Sequence, residues 1–372
     1  MHMDRRKPVR SFQIHGNFNI HKYCQLASLC HKMNLIMKQS PRVCLLSDYS
    51  LREFNPANYL FDYSWEMFTP KNPIVEFLRK LDDTGKFDVY LNLCDGSNDK
   101  RNRYDGLDVV HALEELGLPF TGADSQFYEP SREKMQARAE MNQIGFARGG
   151  NVATVSEGET LAKDLQYPLM VKHPNSFGST GMTKKSHVKN ERTLRSQVKR
   201  FCEKFGTARV EEFIEGREFT VLVVDNPNDF GEPFVYPPAE LIFPEGETFL
   251  HSYVKWQKWV YLKPVPDEKL SSQLMAMTRT MYLALRGLGY ARCDIRMRGN
   301  GALVMIEINP NCGILFKPEH FGPADVAMEY DREGHAGFFK RIFGAAIMRQ
   351  KERWARYPIQ NEVTHADLRF IR

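Results

Sequence analysis

The chain has 372 residues, 42% hydrophobic and 26% charged, with a net charge of +5. That length carries two to three domains at ~150 residues each, and the composition is that of a folded globular protein, which excludes a disordered chain, a collagen-like fibre and a disulfide mini-protein. No apolar run approaches the ~20 residues of a membrane-spanning helix, and so small a charge gives little electrostatic reason to expect a nucleic-acid partner.

The first forty residues hold seven Lys/Arg, four His and one acid, Asp4. Basic, acid-poor stretches can be organelle transit peptides, although Ser is sparse here and a secretory apolar core is absent. Ile20, Tyr23, Cys24 and Ala27 have the spacing of an extra amphipathic helix, so residues 1–40 read as a basic extension with both roles open. Val43 to Leu46 reads as a buried strand. The spacing predicts a helix over 73–81, with Ile74, Phe77, Leu78 and Leu81 on one face. A second strand runs from Phe87 to Leu93, a helix spans 107–116, and a third short strand follows at Leu118 to Gly122. Strands alternating with helices indicate a parallel α/β unit, here 41–130.

A helix over 132–144, a strand from Pro168 to Lys172, a small-residue loop from Asn175 to Gly181 and a helix over 194–205 form a central unit, 131–208. The next unit, 209–345, opens with strands around Val210 and over 219–224. It continues with a helix over 271–288 and a hairpin over 291–308. The remainder, 346–372, is a basic tail whose stretch from Arg349 to Tyr357 reads as a solvated helix end. The seven cysteines have no CxxC spacing, so they are expected as reduced thiols.

The hairpin carries the sharpest signal. Two apolar-rich strands, Ala291 to Met297 and Leu303 to Asn309, flank Arg298-Gly299-Asn300-Gly301. A two-residue turn at Gly299-Asn300 would set Asp294 opposite Met305 and Arg292 opposite Glu307. Side chains alternate with period two, so Arg292, Asp294, Glu307 and Asn309 share one face, with the two acids as diagonal neighbours. Acids and an amide crowded together suit Mg²⁺, which is held by one or two carboxylates plus substrate phosphates, and the adjacent Arg suits a phosphoryl group. The alternative is a solvated face with an Arg–Glu cross-strand pair. A phosphate site is offered elsewhere: Lys172 ends an apolar strand, and Gly178-Ser179-Thr180-Gly181 follows, where small residues let backbone N–H groups approach an anion. Neither a P-loop nor a dinucleotide fingerprint is present.

Taken in order, these segments resemble the ATP-grasp superfamily and, within it, the D-alanine–D-alanine ligase branch. The likeness runs through Leu91 to Gly96, Leu116 to Gly122, Pro168 to Lys172, Gly178 to Met182, Glu211 to Val221, Ala291 to Asp294 and Glu307 to Asn311. It implies an α/β and α+β multidomain ATP-grasp fold with an N-terminal parallel α/β domain. It further implies that Lys134 and Lys172 hold ATP phosphates, that Glu211 meets the adenine amine beside backbone contacts from Phe213 and Ile214, and that Glu218 takes the ribose hydroxyls. Lys255 would reach the γ-phosphate and Ser179 would lie in the loop over the phosphates. Asp294, Glu307 and Asn309 would hold two Mg²⁺, with Mn²⁺ as an alternative ion. Arg292 and the Gly313 backbone N–H would stabilise the tetrahedral intermediate.

The implied activity is an ATP-dependent carboxylate–amine ligase working through an acyl phosphate. Its partners would be a small acid and a small amine, with neither nucleic acid nor membrane, and it would act in the cytoplasm as a homodimer. The alternative is an inactive ATP-binding module. Two departures concern the substrates. The glycine-rich segment whose Glu anchors the first D-alanine is not visible near Val43, where Asp48 and Glu53 stand in unmatched context. The segment Ile314 to His320 lacks the second-substrate serine. His251 and His320 read as surface or rim histidines, Lys317 as a solvated lysine, and Trp256 and Trp259 as lid or core packing.

Overall fold

The computed structural model describes residues 40–47, 56–94, 106–132, 153–156, 166–174, 179–257 and 260–356. The N-terminal sheet is built from β1 (Val43–Leu46), β2 (Trp65–Phe68) and β3 (Val89–Asn92) in the order β2-β1-β3, all parallel. β1 and β3 are buried throughout, as the continuous apolar runs of a doubly covered parallel sheet require. Helices α1 (Ile74–Asp82) and α2 (Gly106–Glu115) cover one face. The third strand is thus Trp65–Phe68, not the expected Leu118 to Gly122. That stretch makes one bridge, Tyr90 to Phe120, because Pro119 has no N–H to extend a ladder. Helix α3 (Ser125–Arg132) follows; the helix expected over 132–144 lies, after its first residue, outside the described residues.

The second sheet has four strands, β4 (Ala153–Val155), β5 (Leu169–Lys172), β6 (His187–Val188) and β7 (Ala208–Glu212), in the order β4-β7-β5-β6. Helix α4 (Glu191–Phe205) covers it. Its start is fixed by Asn190, whose side chain accepts from the Thr193 N–H at 3.0 Å. Leu194, Val198, Phe201 and Cys202, at i, i+4, i+7 and i+8, are its buried stripe.

The third sheet contains β8 (Arg217–Val224), β9 (Phe234–Val235), β10 (Ala239–Ile242), β11 (Tyr261–Pro264), β12 (Tyr290–Met297) and β13 (Leu303–Pro310). Its order is β11-β10-β8-β12-β13, with β9 paired to β8. Between β10 and β11 lies the short helix α5 (Ser252–Gln257), and α6 (Glu268–Ala284) backs the sheet. The N-cap of α6 is Asp267, which accepts from the Leu270 N–H at 3.0 Å. It ends four residues before the expected Leu288. The Gly287 N–H returns to the Tyr282 carbonyl at 2.7 Å, and Arg286 takes a left-handed φ of 54°. Gly289 then passes so close to Gly122 that a Cβ would meet its carbonyl at 2.2 Å.

Helices α7 (Pro323–Glu329) and α8 (Gly334–Arg356) complete the described chain. Phe338, Phe339, Ile342, Phe343 and Ala346 of α8 form one core with Val43, Leu45, Val89 and Leu91 of the N-terminal sheet and with Leu222, Val224 and Tyr290 of the third sheet. The boundary expected at 345/346 falls inside α8. Arg349 is not a solvated side chain: it donates to the carbonyls of Phe120 (2.8 Å) and Gly122 (3.3 Å), and Gln350 donates to Gly117 (2.9 Å). Among the described residues Cys44, Cys94, Cys202, Cys293 and Cys312 are all buried and are not joined in disulfides; Cys24 and Cys30 lie outside the described residues. Among the described residues no helix is long and apolar enough to cross a membrane.

Candidate active site

An open cleft lies between the second and third sheets. One wall carries Lys172, Arg209 and Glu211; the other carries Glu218, Arg292, Asp294, Arg296, Glu307 and Asn309. The walls follow from strand pairing. β5 sets Lys172 opposite Arg209 and Met170 opposite Glu211. β12 is sandwiched between β8 and β13, so its Asp294 faces Thr220 on one side and Glu307 on the other.

The hairpin register differs from the expected one. Arg292 pairs with Asn309 and Asp294 with Glu307, with an irregularity between Asp294 and Ile295. Two shifts of one residue add up: Met297 pairs with Leu303 and the Arg298 N–H donates to the Ala302 carbonyl at 2.9 Å, so the loop is longer than Gly299-Asn300, and Ile306 is an extra residue on β13 between the pairs Asp294–Glu307 and Ile295–Met305. All four residues still share one face, and the two acids are directly opposite rather than diagonal. Arg292 does not pair with Glu307 but forks onto Asp294, with Nε to Oδ1 and Nη2 to Oδ2 both at 3.0 Å.

These residues fit a hard divalent cation. Asn309 Nδ2 sits 3.0 Å from Asp294 Oδ2 and 3.2 Å from Glu307 Oε1, so the oxygens of both acids converge on one point beside the amide. A half-turn of that amide presents Oδ1 instead, giving two carboxylates and one carbonyl, the donor type of Mg²⁺. Among the described residues no group of three or more His, Cys, Asp or Glu could hold a metal, so any cation here uses this mixed set. Thr220 Oγ1 also donates to Asp294 Oδ1 at 3.1 Å and fixes that carboxylate.

On the opposite wall Lys172 forms a close ion pair with Glu211, and Arg209 Nε lies 3.3 Å from the same carboxylate. Phe213 and Ile214 follow at the exit of β7, both buried. The chain then turns at Gly216, with φ +133°, where a Cβ would strike the Met297 carbonyl at 2.0 Å, and enters β8 at Arg217. Burial raises the Glu218 carboxyl above the usual carboxylate range, against the nearby Arg296 charge that lowers it. Burial disfavours the Arg292 charge, but Asp294 outweighs it and pushes that guanidinium further up. Burial, then Arg209, lowers His173. Burial pushes the Cys312 thiol up to about 12, which leaves it unreactive.

Of the expected site residues, Lys172, Ser179, Glu211, Phe213, Ile214, Glu218, Arg292, Asp294, Glu307 and Asn309 all line this cleft. Ser179 has a left-handed φ of 60°, and its hydroxyl donates to the Leu250 carbonyl at 2.9 Å. Gly313 is exposed three residues beyond β13 and is not among the lining residues. Lys134 lies outside the described residues, and Lys255 is described only as part of the α5 backbone. His320 is exposed as expected, whereas His251 is buried, with Nε2 3.0 Å from Glu247 Oε2. Sequence reasoning missed Arg209 and Arg296. The period-two signal was available for Arg296, which continues the face of Arg292 and Asp294.

Comparison with known proteins bears on this geometry. Residues 141–316 match the family described as D-ala D-ala ligase C-terminus. The chain is 25% identical over 260 residues to the D-alanine–D-alanine ligase of Haemophilus influenzae, covering 68% of this chain and 81% of that protein. Residues 141–316 thus carry a domain of the D-ala D-ala ligase C-terminus family, and the chain is by type an ATP-dependent carboxylate–amine ligase. Two solved structures share the fold. The D-alanine–D-alanine ligase of Coxiella burnetii has a TM-score of 0.62 at 16% identity, covering 84% of this chain and 96% of that one. The Bacillus anthracis enzyme complexed with ATP has a TM-score of 0.60 at 18% identity, covering 84% and 100%.

Proposed function

We propose that this chain uses ATP to activate the carboxylate of an amino acid or similar small acid and joins it to an amine. The γ-phosphoryl group passes to a carboxylate oxygen and ADP leaves. The amine nitrogen then attacks the acyl carbon, loses a proton, and the carbon–oxygen bond to phosphate breaks. The observation that carries the reading is the convergence of Asp294, Glu307 and Asn309 beside Arg292, across one cleft from the Lys172–Glu211 pair.

In this reading Glu211 accepts from the adenine amine, Phe213 and Ile214 supply backbone contacts, Glu218 accepts from the ribose hydroxyls, and Lys172 holds phosphate. Asp294, Glu307 and Asn309 hold two Mg²⁺, which when bound neutralise phosphate charge. Arg292 faces the reacting carboxyl and receives the charge that grows on its oxygen. Phosphoryl transfer is largely positioning and charge stabilisation, and these residues supply both. Lys134, Lys255, Ser179 and the Gly313 N–H keep the roles their resemblance implies. D-alanine is the first acid to test because the relatives are named for it.

The deciding experiment mixes the protein with ATP, Mg²⁺ and a panel of amino-acid pairs that includes D-alanine. Phosphate release and product mass are followed together. Release that needs both an acid and an amine, with a product at the condensed mass, is expected. ATP binding without phosphate release across the panel would support an inactive ATP-binding module instead.

A further inference from the structure

Arg296 ties three segments together from inside the cleft. It stands on β12 two residues beyond Asp294 and directly opposite Glu218 of β8, and it is 4% exposed. Its Nε and Nη2 both lie 2.7 Å from Glu218 Oε2. Nη1 donates to the Ile214 carbonyl at 2.6 Å, and Nη2 also donates to the Thr248 carbonyl. The guanidinium lies over the Phe213 ring, 4.8 Å from its centroid. One side chain therefore fixes the strand that carries Glu218, the turn that carries Phe213 and Ile214, and the loop that carries Thr248.

We infer that Arg296 is a positioning residue for nucleotide recognition, holding Glu218 and the Phe213-Ile214 turn as one preformed seat for ribose and base. This rests on the reading of Glu218 as the ribose acceptor. Both guanidinium contacts fall on Oε2, which leaves Oε1 for a sugar hydroxyl. A carboxylate clamped in one rotamer discriminates between a sugar with and without that hydroxyl far better than one free to turn to water. The seat binds parts of ATP that do not react, so it contributes equally to bound substrate and transition state. Its loss should raise KM and leave kcat nearly unchanged.

The test compares ATP with 2′-deoxyATP and 3′-deoxyATP in the wild type, Arg296→Met, Arg296→Lys and Glu218→Gln, with thermal unfolding measured on each preparation. A hydrogen bond to a charged acceptor should make the wild type prefer ATP over at least one deoxynucleotide by about tenfold or more in kcat/KM. In Arg296→Met that preference should fall to within about twofold while kcat stays within about threefold. Arg296→Lys should be intermediate, since one ammonium cannot reach all three acceptors. A purely structural arginine would raise KM for every nucleotide alike and leave the preference intact, and that result overturns the inference. If Arg296→Met does not fold, an undiminished preference in Arg296→Lys overturns it equally. If Glu218→Gln loses the preference and the Arg296 variants keep it, only the positioning role fails. If Glu218→Gln keeps it as well, the ribose role of Glu218 fails.

Discussion

Replacing Arg292 by Ala separates a catalytic guanidinium from one that merely pairs with its neighbour. Negative charge on the reacting oxygen is larger in the transition state than in bound substrate, so the lost contact should appear in rate more than in affinity. Removing a donor of this kind costs roughly 10²–10³ in turnover, or about 2.7–4 kcal/mol of barrier. The structural cost works out smaller. Arg292 contributes a two-pronged contact to Asp294, but that carboxylate keeps Thr220 Oγ1 at 3.1 Å and Asn309 Nδ2 at 3.0 Å. It is therefore not stranded, and the stability loss should be about 1–2 kcal/mol rather than the 3–5 kcal/mol of an uncompensated buried charge. Freed of its counter-charge, Asp294 should also bind Mg²⁺ more tightly. The assay is steady-state phosphate release across ATP and Mg²⁺ concentrations, with thermal unfolding on the same preparation. A fall in kcat by two to three powers of ten, with a much smaller change in KM for ATP and a lower half-saturating Mg²⁺, is the expected pattern. Lower thermal stability with turnover of the folded fraction nearly intact would refute the reasoning.

Glu307→Gln keeps shape and removes one of two acids that face each other across the hairpin. It should cost about tenfold or more in turnover at limiting Mg²⁺, and it should raise the unfolding temperature without Mg²⁺ because like charges opposite one another repel; full turnover at limiting Mg²⁺ would remove Glu307 from the metal site. The Glu240 carboxyl accepts from Arg217 Nε and Nη2, both at 2.7 Å, and lies 3.3 Å from Lys263. The Arg217 hydrogen bonds, against burial, hold it below the usual carboxylate range. Its stabilising effect is thus present above the unfolded carboxylate pKa of about 4.3 and is lost as pH falls through the lower folded value. Urea unfolding of Glu240→Gln between pH 3 and 6 should show a flatter acid limb, and an unchanged slope would contradict this.

Strand-forming segments with unbroken apolar runs, Val43 to Leu46 and Leu169 to Val171, declare themselves because both faces are buried. Trp65 to Phe68 does not: its sequence Trp-Glu-Met-Phe mixes an acid with large apolar residues, and only its place at the edge of the parallel sheet explains it. The acids of the hairpin were legible because period two survives any register with the same parity. Their opposition was not, since a loop of five residues rather than two moves the pairing by one and the extra residue Ile306 moves it by one more, which restores the parity. His251 shows the other limit. Its burial comes from the loop between β10 and α5 folding over Phe249 and Glu247, and no local pattern encodes that. Arg209 is similar: on a strand where three of five residues are charged it reads as an exposed position, yet Glu211, two residues on, gives it a buried ionic partner that it shares with Lys172.

The core shared by α8 and the N-terminal sheet sets a timetable for synthesis. Val43, Leu45, Val89 and Leu91 leave the ribosome early, whereas Phe338, Phe339, Ile342 and Phe343 follow about 300 residues behind β1. At 5–20 residues per second that is an interval of roughly 15–60 s, long against the submillisecond scale of local collapse. Throughout it the face of the nascent sheet opposite α1 and α2 lacks the cover of α8 and has only the part of its native core that precedes that helix, such as Tyr59 and Leu60. A ribosome that stops after the hairpin would release every candidate catalytic residue on a chain whose first sheet is half dressed, a substrate for chaperones and proteases rather than a smaller enzyme.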